Sequence, residues 1–256
     1  MPAQPNQSLI DSMRCLHALV ASPAPLGSRE MATLLEMEPT RANRLLGTLV
    51  SVGMAEKTAD RKYRAGAGVH VLAALSLHGS LLLSCALPYL EELRAPGRTV
   101  ALGLLWQQHI CFLYHARPGM RMGSAIGRHE LVPAGLSSIG VMLLAAKEDR
   151  KEANAVVRQL GDHPESVREP LAESMTAARA ESFSRLTFHS GDISLAVGVG
   201  SPVIAGLALA GKMPEKNVAS TVTTLRLTAA KISADLEIAF KTRQPVPPPP
   251  APLLHI

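Results

Sequence analysis

The stretch PTRANRLLGTLVSVG, residues 39–53, constrains the fold more than any other part of this chain. Ala42, Leu45, Leu46, Leu49 and Val50 recur at the spacing of one buried helix face. Pro39 stands where a first helical position tolerates proline, and Gly53 is a natural left-handed stop. Thr40, Arg41, Asn43, Arg44 and Thr48 lie off that stripe. Just upstream, Met31, Leu34 and Leu35 form the inner face of a shorter helix that starts after Gly27, capped by Ser28, and stops near Glu36. Two helices joined by so short a turn make a helix-turn-helix pattern. A first helix precedes them, with Ser8 as its cap, Asp11 as the acidic partner, and Leu9, Met13, Leu16 and Val20 as its stripe.

Downstream, Met54 to Lys57 and Lys62 to Arg64 read as two short strands around a turn of Thr58, Ala59, Asp60 and Arg61. A hairpin placed directly after a helix-turn-helix makes a winged helix. It is also basic. Residues 39–64 carry Arg41, Arg44, Lys57, Arg61, Lys62 and Arg64 against Glu56 and Asp60, a net of +4 in a chain whose total is +5. A local basic patch suits a polyanion, because neutralising phosphate releases counterions. On charge alone, a solvated basic face is an equal alternative.

Residues 67–95 read as a long aliphatic helical region: Val69, Leu72, Leu75, Leu81 to Leu83, Leu87, Leu90 and Leu93. Pro88 is expected to kink it or start a new helix. A helix this apolar is expected to be buried, most simply against a second copy of itself. After RAPGR the pattern changes. TVALGLLW and HICFLYHA are strand-like runs joined by Gln107 and Gln108. Residues 131–147 look like a loop entering a helix, and 149–162 and 165–180 look helical. ISLAVGV and VIAGLALAG are apolar strands around Gly200, Ser201 and Pro202. A last amphipathic helix over 214–240 carries Val218, Val222, Leu225, Leu227, Ile232 and Leu236. Strands alternating with helices argue a mixed α/β domain. The tail PVPPPPAPLL is polyproline-like and expected to be disordered.

Other classes are disfavoured. Cys15, Cys85 and Cys111 are far apart and form no metal-ligand spacing, so they read as small buried hydrophobes in a reducing compartment. MPAQPNQ has no charged and apolar export signal, and no run reaches membrane-spanning length, so a cytoplasmic protein is expected. The histidines show no metal-site spacing, GLSSIG misses the register of a nucleophile elbow, and GVGSPV lacks the third glycine of a dinucleotide fingerprint. No metal, cofactor or enzymatic activity is expected.

Several pieces stand in a telling order: SLIDSMRCLHALVAS, REMATLLEMEPTRANRLLGTLVSVGMAEK, KYRAGAGVHVLAAL, RTVALGLL, GRHELVPAGLSSIGVMLLAA and LAVGVGSPVIAGLALAG. Together they resemble the IclR family of bacterial transcriptional regulators over most of residues 8–240. Arg44-Leu45-Leu46, Leu49, Gly53 and Tyr63-Arg64-x-Gly66 carry the resemblance most specifically. It implies an α+β chain with an N-terminal winged helix-turn-helix (1–66), a linker helix that helps to dimerise (67–95), and a C-terminal GAF-like α/β effector-binding domain (96–240), followed by the tail (241–256). It also implies a dimer, or a dimer of dimers, on a pseudo-palindromic operator.

On that reading, Thr40, Arg41, Asn43 and Arg44 enter the major groove, where arginine suits guanine and asparagine suits adenine. Arg44 reads a base or clamps a phosphate. Thr48, Arg61, Lys62 and Arg29 meet the backbone or the minor groove. Tyr63 holds the wing to the helices. In the effector half, Ser137, Ser138 and Gly140 map to a small polar segment at a helix start, whose free N–H groups suit a carboxylate. Asp192, Ala196 and Gly198 map on or beside a late pocket strand, and Leu105, Met122 and Leu209 to its apolar wall. Three positions depart from the family pattern: Gly135 replaces a histidine, Val141 a lysine and Gly198 a proline. Losing a histidine and a lysine points to an apolar or aromatic acid as effector. The alternative is a sensor acting through protein partners beside a degenerate DNA-binding half.

Overall fold

The computed structural model describes residues 4–95, 97–127, 131–147, 153–154, 157–158 and 170–242. Most of the helix expected over 149–162, and the proline-rich tail beyond Thr242, lie outside them. The chain divides into two compact units, the first ending at Gly79 and the second starting at Ser80.

The first unit holds α1 (Gln7–Ala21), α2 (Ser28–Leu35), α3 (Pro39–Ser51), a hairpin of β1 (Ala55–Lys57) and β2 (Tyr63–Ala65), and α4 (Ala67–His78). Ala42, Leu45, Leu46 and Leu49 of α3 are buried, as their spacing predicts. Gly53 ends the segment with φ +72°, a conformation that lets the chain turn into the wing at no steric cost.

Four local expectations are corrected. Asn6, not Ser8, caps α1: its side-chain oxygen accepts from the N–H groups of Ser8 and Leu9. Gly27, not Ser28, precedes α2, and the Glu30 carboxylate takes its N–H at 2.6 Å. The buried side of α1 is Asp11, Cys15 and Leu19, while Leu9, Met13 and Val20 are exposed. Apolar count alone would turn the helix the other way, but Asp11 is drawn inward by Arg41 of α3, 2.7 Å away. Leu34 of α2 is likewise exposed.

The single helical region expected over 67–95 is two helices. Gly79 ends α4, and Ser80 caps α5 (Leu81–Glu92) by accepting the N–H of Leu83. Pro88 lies inside α5. The two helices differ sharply in surroundings. Within this single chain, α4 has no buried residue, whereas α5 buries Leu82, Leu83, Ala86 and Leu90 in the core of the second unit.

The second unit is built on one antiparallel sheet of β3 (Arg98–Trp106), β4 (His109–Ala116), β5 (Val132–Pro133), β6 (Ser184–Thr187), β7 (Ile193–Val199) and β8 (Ala205–Gly211). Its order is β5-β4-β3-β8-β7-β6. The hairpins β3–β4 and β7–β8 follow the two pairs of apolar runs. The brief β5 and β6 show too little alternation to be read from sequence. On one sheet face Val100, Leu102, Tyr114, Leu195, Leu207 and Leu209 pack with α5 and with the terminal helix Val218–Thr242. Leu227 of that helix is exposed, against expectation. On the other face lie Ala101, Phe112, Leu186, Ala196 and Ala208, with two helices, Ser138–Ala146 and Leu171–Glu181. With the short α6 (Met122–Ala125) counted, these become α7 and α8, and the terminal helix α9. Every residue of α7 from Ser138 to Ala145 is buried.

Among the described residues no single helix is long and apolar enough to cross a membrane, and no group of His, Cys, Asp and Glu could hold a metal ion.

Candidate functional site

The polar side chains of α3 divide by what holds them. Arg41 turns inward: its Nη2 meets Asp11 Oδ2 at 2.7 Å, and its Nε is buried with no hydrogen-bond partner among the described residues. Asp11 also accepts from Gln7 and Arg14. Asn43 is exposed, but its Oδ1 accepts the hydroxyl of buried Tyr63 at 3.1 Å. Tyr63 itself exchanges two backbone hydrogen bonds with Leu26, both 2.8 Å, which stitch the wing to the loop before α2. Thr40, Arg44 and Thr48 face solvent, the last with its hydroxyl on the Arg44 carbonyl.

Around this face, Arg29 is exposed in the first turn of α2, and Arg61 is exposed at the wing tip with φ 64°. Lys62 reaches back to Glu30 at 3.3 Å, and Arg64 pairs with Glu56 across the hairpin. Such exposed pairs contribute little to stability in water. The hydrogen bond from Gly27, reinforced by Lys62, keeps the Glu30 carboxyl below its ordinary range.

Burial raises the Asp11 pKa, but the Gln7 hydrogen bond, the charge of Arg41 and the hydrogen bonds from Arg14 and Arg41 outweigh it and leave the pKa below the ordinary 3.8. A carboxylate with a lowered folded-state pKa stabilises the fold above its unfolded value, and that contribution is lost as pH falls through the folded value. Asp11→Asn should therefore lower the urea midpoint of the helix-turn-helix transition at pH 7. The gap to wild type should shrink at pH 3. An equal gap at both pH values would dissociate Asp11 from the effect.

The second unit carries a cavity of about 210 Å³ between the sheet and the start of α7. Its floor is low because β3 and β8 place small residues side by side, Thr99 beside Ala210 and Ala101 beside Ala208. Phe112 and His115 of β4 line one side, with their rings 4.9 Å apart and edge to face. Three residues apart, they should point to opposite sheet faces. A bulge in the β3–β4 pairing, where Gly103 pairs with Phe112 but Leu102 with Tyr114, brings both to the same side. Phe188, Ser194, Val132 of β5 and Leu136 complete the wall.

At the helix start, Ser138 Oγ is 2.7 Å from Ser194 Oγ, and Ser184 donates to the Ser138 carbonyl at 2.6 Å. Ser137, by contrast, is 9% exposed, lines the cavity and makes no side-chain hydrogen bond among the described residues. It sits beside the first-turn N–H groups of α7, which have no acceptor within the helix. A hydroxyl that faces the cavity, next to N–H groups with no acceptor within the helix, is what an incoming anion or carbonyl would bond.

Of the residues mapped from sequence to this site, Ser137 and Ser138 line the cavity. Gly140 lies one turn in, where its backbone packs against Ala134. Ala196 is buried on the same sheet face but off the lining, and Gly198 is covered by Val203. Asp192 accepts from Ser190 in the β6–β7 turn. Leu105 packs at the edge of the same core, and Met122 is largely exposed on α6. Leu209 is on the opposite face, since strand alternation separates it from Ala208 and Ala210. The parity of VIAGLALAG carries that signal. Thr99, Phe112, His115, Phe188 and Ser194 were missed, because a bulge and an unrecognised strand position most of them.

Some nine-tenths of the chain is similar in fold to solved regulators. A structure of an IclR homologue from Microbacterium hydrocarbonoxydans, complexed with 4-hydroxybenzoate, is 23% identical, covers 91% of this chain and 100% of its own, and superposes with a TM-score of 0.65. An IclR family transcriptional regulator from Brucella abortus gives 19% identity, 90% and 93% coverage and a TM-score of 0.72. A putative IclR regulator from a Silicibacter species gives 21%, 90%, 96% and 0.73. No family model and no curated protein matches the sequence.

Proposed function

We propose that this chain, which has the fold of the IclR-family transcriptional regulators, is a ligand-responsive and non-enzymatic regulator of transcription in the cytoplasm. It binds a pseudo-palindromic operator as a dimer or a dimer of dimers. One observation carries the reading: a solvent-facing Thr40–Arg44–Thr48 edge on α3, flanked by Arg29 and the wing cations Arg61 and Lys62, in a unit separate from the one holding the cavity. The exposed Val71, Leu72 and Leu75 of α4 support self-association, since a second copy of that helix would cover them. Effector binding in the second unit then changes the spacing of paired recognition helices.

The effector is a single-ring aromatic acid. Its carboxylate takes Ser137 and the N–H groups at the α7 start, and its ring lies on the alanine floor beside Phe112 and Phe188. A dry apolar cavity of roughly 150 Å³ holds one benzene ring, so about 210 Å³ suits one substituted ring and not two. The 4-hydroxybenzoate in the Microbacterium homologue is of this class.

Selection of bound fragments from random DNA tests the first part. Two half-sites should be enriched, with log affinity falling linearly against log salt. Absence of any enriched sequence rejects operator binding. Calorimetry tests the second. 4-Hydroxybenzoate should bind, and Ser137→Ala should weaken it by about tenfold, the loss of one hydrogen bond to a charged group. Binding of small polar dicarboxylates alone would overturn the effector assignment.

A further inference from the structure

We propose that Asn43 reads the acceptor edge of a guanine or thymine, and not adenine, because Tyr63 holds its amide in one orientation. The inference rests on the DNA-binding reading above. Asparagine recognises adenine by using its carbonyl and its NH2 group together against N6 and N7. Here the carbonyl is engaged: Tyr63 donates its hydroxyl to Asn43 Oδ1 at 3.1 Å. Tyr63 is 4% exposed, anchored to Leu26 through its backbone, and carries the Lys57 ammonium 5.6 Å from its ring centre. It is therefore a fixed part of the core that turns the oxygen of Asn43 inward.

A phenol is a better donor than acceptor, because its lone pair is shared with the ring. The Asn43 amide thus settles with oxygen toward Tyr63 and both Nδ2 hydrogens toward solvent, leaving donors only on the outer side. Guanine offers O6 and N7 as adjacent acceptors, and thymine offers O4. Adenine offers an outward NH2 only N7 and sets its own N6 amine, a second donor, beside it, so one bond is made where guanine accepts at two atoms. The bond to the wing, invisible in the α3 sequence, reverses what asparagine at this position would otherwise prefer.

The experiment is bind-and-sequence selection from random duplex DNA with the full chain, comparing wild type, Asn43→Ala and Tyr63→Phe. Asn43→Ala identifies the position that Asn43 reads, as the one whose preference is lost. Wild type should prefer guanine or thymine there over adenine by about tenfold. Tyr63→Phe keeps the packed ring but frees the amide to rotate, and adenine should become as acceptable as guanine at that position alone. Wild-type preference for adenine, no position affected by Asn43→Ala, or an unchanged profile for Tyr63→Phe would each overturn the inference. No enrichment by wild type would overturn the DNA-binding reading and this inference with it, whereas enrichment with an unchanged Tyr63→Phe profile removes the inference only.

Discussion

Gly140→Ala should destabilise the second unit by about 3 kcal/mol, the upper end of overpacking, and abolish ligand binding in the cavity. A β-carbon at this position would lie 2.0 Å from the carbonyl oxygen of Ala134 and 2.6 Å from its Cα and carbonyl carbon. All three are backbone atoms. They cannot give way cheaply, because the Ala134 N–H is bonded to the Gln108 carbonyl at 2.8 Å and the Ala134 carbonyl accepts from Ser137. Relief must come from lifting α7 off the turn, which moves Ser137 and the free N–H groups away from the cavity. Gly47→Ala is the matching control. It lies inside α3, with nothing within 4 Å of an added β-carbon, so it should stabilise the first unit by roughly 1 kcal/mol through helix propensity. Urea midpoints measure both, with unchanged slopes expected. A Gly140→Ala protein as stable as wild type would mean that the Ala134 turn does not pack on α7.

Arg44→Ala should weaken operator binding by about 1–3 kcal/mol, roughly ten- to a hundredfold, with no change in melting temperature. The side chain is exposed and has no bonded partner among the described residues, so its removal affects only what α3 meets outside the protein. Arg41→Ala should behave differently. It removes the nearer of the two charges on Asp11, a residue only 5% exposed, and leaves the longer Arg14 contact, so the first unit should melt lower and binding should fall as a consequence. Anisotropy on a selected site, run beside thermal melts of the same proteins, separates a contact from a support. Weaker binding by Arg41→Ala with an unchanged melt would make it a base reader after all.

That contrast lies outside local sequence. Arg41 and Arg44 look alike in sequence: both lie off the apolar stripe, near the start of α3, in a basic segment. Only the opposing helix distinguishes them, because Asp11 sits under one and not under the other. The same holds in the second unit. Ser137 and Ser138 were legible as a helix start, but which hydroxyl remains available depended on Ser194, a residue 56 positions later, occupying Ser138. Phe112 and His115 reach one side of the sheet only through a bulge that alternation cannot foresee.

What the sequence determined by itself was local and periodic. The stripe of α3, the glycine that ends it, the two-strand wing and the apolar hairpin runs follow from spacings within a few residues, where helix and strand geometry act directly. Tertiary structure decided which face of α1 is buried, where the region 67–95 divides, and which polar groups are spent on the fold and which remain for a partner. Those outcomes depend on side chains distant in sequence competing for the same hydrogen bonds and the same buried charge. No window of neighbouring residues contains that competition.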